Sequence, residues 1–323
     1  MHLNRNQRNF FLAVCAALPS LAFYGAFLTF HSKGSAENVW WAHICTWSSA
    51  HPLALLNLLF FFNVSVLFWV VSLVQRSTWL IDLYWTVLPV LMAHFFSWHP
   101  KSTSDPFRSR VVITLTWIWS IRLTHSYFRR ENWQWGERED WRFANMRKED
   151  SKHWWWVSFF VAYLSQQCFL VGICLPLYTV HNSTIPWGNM DVVLSLICAS
   201  GIAIGYIADT QLHSFVSSNA HLKQQGASPV PVLDEGLWHY SRHPNYFGEQ
   251  LWWWGLAGFS LIVGQSWAMI GTVINSLVLA HVTVLVEDRM IADDRRRDAY
   301  RRYQQATSVW IPWCKNSCTM KLE

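Results

Sequence analysis

Twelve consecutive residues, Trp238-His239-Tyr240-Ser241-Arg242-His243-Pro244-Asn245-Tyr246-Phe247-Gly248-Glu249, gather more reactive chemistry than any other stretch of this 323-residue chain. A guanidinium such as that of Arg242 can grip a phosphate or carboxylate through two parallel hydrogen bonds. His243, Asn245 and Tyr246 add further polar groups, and Pro244 suits the first turn of a helix, where its fixed φ is already correct. A helix starting there aims unpaired N–H groups and partial positive charge at an anion. Gly248 leaves room for a ligand against that helix. An interfacial helix cap with aromatic anchors is the plainer reading, but anchors alone need no Arg, His, Asn and Glu within one turn and a half. The set points to a bound anion or nucleotide.

Elsewhere the candidates are isolated polar groups in apolar runs, where each is costly and carries a functional hypothesis by default. Asp82 and Tyr84 open one run, in WLIDLYW. Arg122 lies inside the next, and Gln166 and Gln167 lie mid-run in a third. Asp209 and Gln211 sit near the end of a fourth, and Glu287 and Asp288 close the last. Snorkelling to water is the bland explanation for those near run ends. Their recurrence beside charged loops favours a shared polar cavity instead. Glu137-Arg138-Glu139-Asp140-Trp141-Arg142-Phe143 reads equally as a solvated, salt-bridged face. No GxGxxG follows a strand, and there is no P-loop or G-x-S-x-G. A nucleotide would need a non-Rossmann membrane site.

The elements that must position these groups are membrane spans. Hydrophobic residues make up 52% of the chain and charged ones 14%, against about 25% charged in soluble domains. Many of the 23 tryptophans flank apolar runs, as in interfacial aromatic belts. Runs near the 20 residues needed to span fall at about 9–30, 51–74, 79–97, 111–128, 154–178, 191–212, 247–263 and 267–286, the last two as a tight hairpin or a half-inserted loop. The first run has no small-residue cleavage site and reads as an anchor. With eight spans, the termini and the loops 75–78, 129–153 and 213–246 share one side, with 20 Lys and Arg against 4 opposite. The positive-inside rule makes that side cytosolic.

The net charge of +5 arises from these loops and suits anionic headgroups or an anionic cofactor. No basic patch on a soluble module supports nucleic-acid binding. The seven cysteines lie mostly in spans as small hydrophobes. Cys314-x3-Cys318 has neither zinc spacing nor a second pair. The expected fold is all-α, a polytopic membrane helix bundle of seven to eight spans with cytosolic loops capping a cofactor cavity.

GLWxYSRHPNYFGE at 236–249 resembles the C-terminal signature of the steroid 5α-reductase superfamily, and most closely its branch of uncharacterised 5α-reductase-like membrane proteins. Upstream pieces agree in order: D-x-x-W-T at 82–86 approximately, W-x-x-R-L at 119–123, E-D-W-R-F at 139–143 and A-D-x-Q-L-x-x-F at 208–215. Tyr300-x2-Tyr303 and Ile311-Pro312 follow. The resemblance covers about 78–313, leaving 1–77 as N-terminal spans and 314–323 as a tail. It implies an enzyme, a reductase of CH–CH groups, that uses NADPH to saturate an enone or enoyl double bond of a steroid or other lipid-like substrate, in the endoplasmic reticulum. By position, Asp209, Asn245 and Glu249 fall where the superfamily contacts the cofactor, with Gln211, Arg242, His243 and Tyr246 in the same motifs. Arg122, Asp140 and Arg142 are implied for phosphates and ribose. The superfamily's enone clamp of Tyr and Glu has no clear match. Asp82 and Tyr84 substitute by type, and Tyr84 or Tyr240 is the expected proton donor. Expected partners are membrane lipids and a hydrophobic small molecule. Two rivals differ in class: an S-adenosylmethionine-dependent lipid or isoprenylcysteine-type methyltransferase, which shares an R-H-P-x-Y turn, and a non-catalytic lipid-binding protein.

Overall fold

The computed structural model describes residues 4–33 and 39–315. Cys318 and the terminal Lys321-Leu322-Glu323 lie outside the described residues. The described residues form helices and no strand. Six helical runs are long and apolar enough to cross a bilayer: Arg5–Ser32, Pro52–Gln75, Trp79–Trp98, Trp154–Val180, Asn189–Gln224 and Ser266–Ala292. The protein is an integral membrane protein of the polytopic helical class. Two of the eight expected spans are helical but more polar than these six. Pro106–Arg130 is diluted by Arg122 and His125, and Pro244–Ile262 by Glu249, Gln250 and its tryptophans.

The chain divides into two compact units, one of residues 1–191 with 259–271 and one of 192–258 with 272–323. That division follows packing, whereas the expected boundaries at 77/78 and 313/314 follow the extent of the motifs.

In the first unit the N-terminal helices are α1 (Arg5–Ala16), α2 (Leu18–Lys33) and α3 (Val39–Ala50). The span Pro52–Gln75 comprises α4 (Pro52–Phe60), a π-helical stretch Phe61–Leu67 and α5 (Phe68–Gln75). Then come α6 (Trp79–Trp98), α7 (Pro106–Arg130) and the short loop helix α8 (Trp141–Glu149). The span Trp154–Val180 comprises α9 (Trp154–Ser158), a second π stretch Phe159–Leu164, α10 (Ser165–Ile173) and α11 (Leu175–Val180). Of the two mid-span glutamines, Gln167 is a lock between spans. Its Oε1 accepts from Ser65 and its Nε2 donates to the backbone and side chain of Asn57. A buried polar group that is fully bonded in this way specifies register.

A second lock closes the other end of this unit. Arg108, 1% exposed, donates to both oxygens of Asp191 at 2.6 and 2.8 Å and to the carbonyls of Ile185 and Pro186. Beside it, His181 is fully buried. Its Nδ1–H donates to the Leu177 carbonyl at 2.6 Å, leaving Nε2 to accept from the Ser109 hydroxyl at 3.0 Å. Burial pulls the His181 pKa down to about 4, against a smaller upward pull from the Leu177 carbonyl. The folded protein therefore keeps His181 neutral where the unfolded chain, with an ordinary histidine near 6.5, takes up a proton. This stabilisation is complete above about pH 6.5 and is lost progressively as pH falls toward 4. Melting in detergent is expected to drop over that window, and His181→Gln to flatten the slope.

In the second unit, α12 (Asn189–Gln224) runs 36 residues, about 54 Å at 1.5 Å per residue. A bilayer core is about 30 Å thick, so the helix outruns it, and Asp209 and Gln211 fall in its polar C-terminal half. Then follow α13 (Pro244–Ile262), α14 (Ile270–Ala292) and α15 (Arg297–Ala306). A Cβ on Gly248 would stand 2.6 Å from the Gly205 nitrogen and 2.7 Å from the Gly201 oxygen. Gly248 is thus required for close packing of α13 on α12. The expectation that it leaves room for a ligand is corrected: its open face is filled by backbone.

Candidate functional site

The second unit brings two of the sequence motifs together. Asn245, in the first turn of α13, donates through Nδ2 to Asp209 Oδ1 of α12 at 3.3 Å. Two positions along α12, Gln211 Oε1 accepts from the Leu237 N–H at 3.0 Å. Trp238 Nε1 donates to the Ala208 carbonyl at 3.1 Å. Gly236 has φ +60, and an added Cβ would lie 2.2 Å from Gln211 Nε2. Gln211 therefore shapes the approach to the motif turn. Tyr246 stacks on His243, with ring centroids 5.1 Å apart and planes 16° apart. Glu249 follows Asn245 by one turn, on the same side of α13.

Arg242 does something other than the phosphate grip that its type suggests. Its Nε and Nη2 donate to the two oxygens of Glu287, at 2.8 and 3.2 Å, and Nη1 donates to the carbonyls of Gln304 and Thr307. Glu287 also meets His243 Nε2 at 2.9 Å and accepts from Gln304 Nε2 at 2.7 Å. Four of the five guanidinium donors are thus spent inside the protein. Arg242 is corrected from an anion grip to a clamp between the motif turn, α14 and α15. His243 is held by the same carboxylate.

The turn is fastened from a third direction. The Arg242 and His243 N–H groups donate to the carbonyls of Ser308 and Val309, and the Trp313 N–H donates to the Tyr240 carbonyl. Tyr303 donates through its hydroxyl to the Trp238 carbonyl. Trp310 Nε1 donates to Thr283 Oγ1 of α14 at 3.0 Å. An extended strap, residues 307–313, therefore lies along the turn. Burial drives the Tyr303 phenol above its ordinary pKa, so it stays a neutral donor.

The first unit holds the other candidates. The Asp140 N–H donates to Asp82 Oδ2 at 3.2 Å. Asp140 caps α8, accepting from the Arg142 N–H at 2.8 Å, and takes the Arg142 guanidinium at 3.0 and 2.6 Å. Burial works to raise the Asp140 pKa, but the bonds and charge from Arg142 prevail and hold it below the usual carboxylate range. Glu139 accepts from the Thr78 N–H and hydroxyl, both at 3.0 Å, and pairs with Arg147 at 2.6 Å. The expected solvated face is in fact a loop braced against α6. Arg122 is buried within α7 at 6% exposure.

Two of the three acid candidates point apart. Asp82 and Tyr84 are two positions apart on α6, about 200° around a helix of 3.6 residues per turn. The Tyr84 hydroxyl donates to the Ala13 carbonyl at 2.6 Å. The pairing of Asp82 with Tyr84 at one site is corrected for this geometric reason. The third candidate, Tyr240, is 47% exposed, and its carbonyl serves the strap.

Sequence reasoning passed over Glu287 as a span-end acid. No local signal marks it: Glu287 closes an apolar run directly before Asp288 and Arg289, 45 positions from Arg242.

Comparison with known proteins adds two findings. An uncharacterized protein of Schizosaccharomyces pombe is 25% identical over 228 residues, which cover 65% of this chain and 65% of that protein. No solved structure matches. The family model described as "Protein of unknown function (DUF1295)" matches residues 68–307, a stretch that holds every candidate residue above, and the chain belongs to that family.

Proposed function

We propose that this protein is a membrane-embedded reductase that uses NADPH to saturate the carbon–carbon double bond of an enone or enoyl group in a steroid or other lipid-like molecule. The observation that carries this reading is the Asn245–Asp209 contact, which joins the A-D-x-Q and R-H-P-N-Y-F-G-E motifs at one place. The resemblance of the motif at 236–249 to the steroid 5α-reductase signature supports it.

The residues present suit the ribose and carboxamide parts of such a cofactor. Asp209 and Glu249 are carboxylates that accept from hydroxyl and amide N–H groups, and Asn245 can donate and accept. Tyr246 adds a phenol beside them. Arg242 and His243 hold the turn that presents these groups. Bound NADPH supplies a hydride to the β-carbon. The chain's part is to orient the substrate, exclude water and place a donor where charge grows on the carbonyl oxygen. A proton drawn from water then adds to the α-carbon, leaving the saturated carbonyl. An endoplasmic reticulum membrane with both termini in the cytosol is part of the proposal.

The test is binding of NADPH to purified protein in detergent. Wild-type protein is expected to bind saturably and to be stabilised, while Asn245→Ala and Glu249→Ala weaken binding at least tenfold. Stabilisation by S-adenosylmethionine in place of NADPH overturns the reading in favour of a methyltransferase. Tight NADPH binding without turnover of any enone or enoyl lipid favours a binding protein.

A further inference from the structure

Of the six most apolar spans, the one that contains α14 is covered least by the protein itself. Only 17% of the most apolar stretch of Ser266–Ala292 is buried, against 67% for Trp79–Trp98. Thr272, Thr283 and Glu287 share one face of α14 and are buried. The opposite face carries Ile274, Leu277, His281, Val284 and Asp288, all of them exposed, Leu277 by 67%. Their spacings alternate between three and four residues, the repeat that forms the seam where two helices pack side by side.

One member of this stripe does not suit lipid. His281 stands two turns before Asp288, the first exposed charge toward the cytosolic end of α14. At 1.5 Å per residue that is about 10 Å inside the apolar layer, further than an imidazole reaches back. Ionisable side chains at membrane depth almost always face protein or a water-filled cavity. His281 faces outward instead, and among the described residues it makes no hydrogen bond or ion pair. A neutral imidazole carries one donor and one acceptor, and hydrocarbon satisfies neither.

What covers this face must offer an apolar stripe of the same pitch, with a group at the depth of His281 that both donates and accepts. Insertion gives every copy of the chain one orientation in the bilayer. Two copies therefore pair about an axis along the membrane normal, which sets residues of equal depth opposite each other. A second copy supplies the same stripe and the same imidazole. We propose that the protein is a homodimer joined along this face of α14, with each His281 hydrogen-bonded to its counterpart at the two-fold axis. One ring donates its N–H and the other accepts. A single polar side chain in an apolar seam also fixes the register, as a lone polar a-position does in coiled coils. The inference stands apart from the reductase reading and uses none of its residues.

The test uses the full chain in phosphatidylcholine vesicles, with resonance energy transfer between donor- and acceptor-labelled copies followed as the protein-to-lipid ratio rises. Wild type is expected to give a saturating transfer curve. His281→Leu takes a polar group off an exposed face, so it is expected to fold. It is expected to raise the dimer dissociation constant about threefold to thirtyfold, the worth of one hydrogen bond between membrane helices. A second variant reads the seam without touching His281. Leu277→Cys is expected to give a covalent dimer on oxidation, above the wild-type level. Leu196→Cys, 63% exposed but on α12, is expected to give none above that level. Wild type that stays monomeric at every density overturns the proposal and leaves the face to lipid or to a different protein. A dissociation constant unchanged in His281→Leu overturns it too, as does equal covalent dimer from the two cysteine variants.

Discussion

Replacing Asp191 with alanine is expected to cost the fold about 3–5 kcal/mol, the range for removing one partner of a buried ion pair. Both side chains are nearly inaccessible, Arg108 at 1% and Asp191 at 2%. Without the carboxylate, the guanidinium keeps only its bonds to the Ile185 and Pro186 carbonyls and carries an uncompensated charge away from water. The Gly188 N–H also loses its acceptor. Unfolding of the variant by sodium dodecyl sulfate in mixed micelles measures the effect. The double variant Arg108→Met, Asp191→Ala is expected to cost less than the two single changes summed, because neither leaves a lone charge once the other is gone. Strict additivity would show that the pair does not act as a unit.

The second large effect belongs to Glu287. Its two oxygens meet Arg242, His243 and Gln304, so Glu287→Ala strips three partners at once, two of them with 11% or less of the side chain exposed. A loss of about 3–5 kcal/mol is expected for the charge left behind, and on the proposed reductase reading NADPH affinity falls at least tenfold as the turn before Asn245 loosens. Glu287→Gln keeps the shape and one acceptor oxygen and is expected to fold. It separates the two consequences, since weakened cofactor binding in a stable Glu287→Gln protein marks a positioning role. Unchanged binding there would confine Glu287 to the fold.

Both effects involve pairs that local spacing cannot show. Arg108 and Asp191 are 83 positions apart, and Arg242 and Glu287 are 45 apart. In the sequence, Arg108 is one charge in a tally of loop charges, and Arg242 is a cation in a motif that invites an anionic ligand. The spans were readable because apolar length needs no partner to be recognised. That Asp209 and Asn245 belong together was implied only by the resemblance, in which both fall at the cofactor. The commitment of the Arg242 guanidinium was not readable, because its partners come from α14 and the segment after it. The separation of Asp82 from Tyr84 follows from helical period alone, so their two-residue spacing already implies it.

The strap over the motif turn has a consequence for the making of the protein. The groups that fasten residues 240–243 lie 44 to 73 positions further along the chain. A ribosome that has just released α13 into the membrane has delivered Asp209 and Asn245 but none of the fasteners. The nascent chain must therefore carry an unfinished turn until α14, α15 and residues 307–313 have been synthesised. Maturation of this site is a late, post-insertion event, and a translation arrest near residue 290 would leave membrane-integrated chains that still lack it.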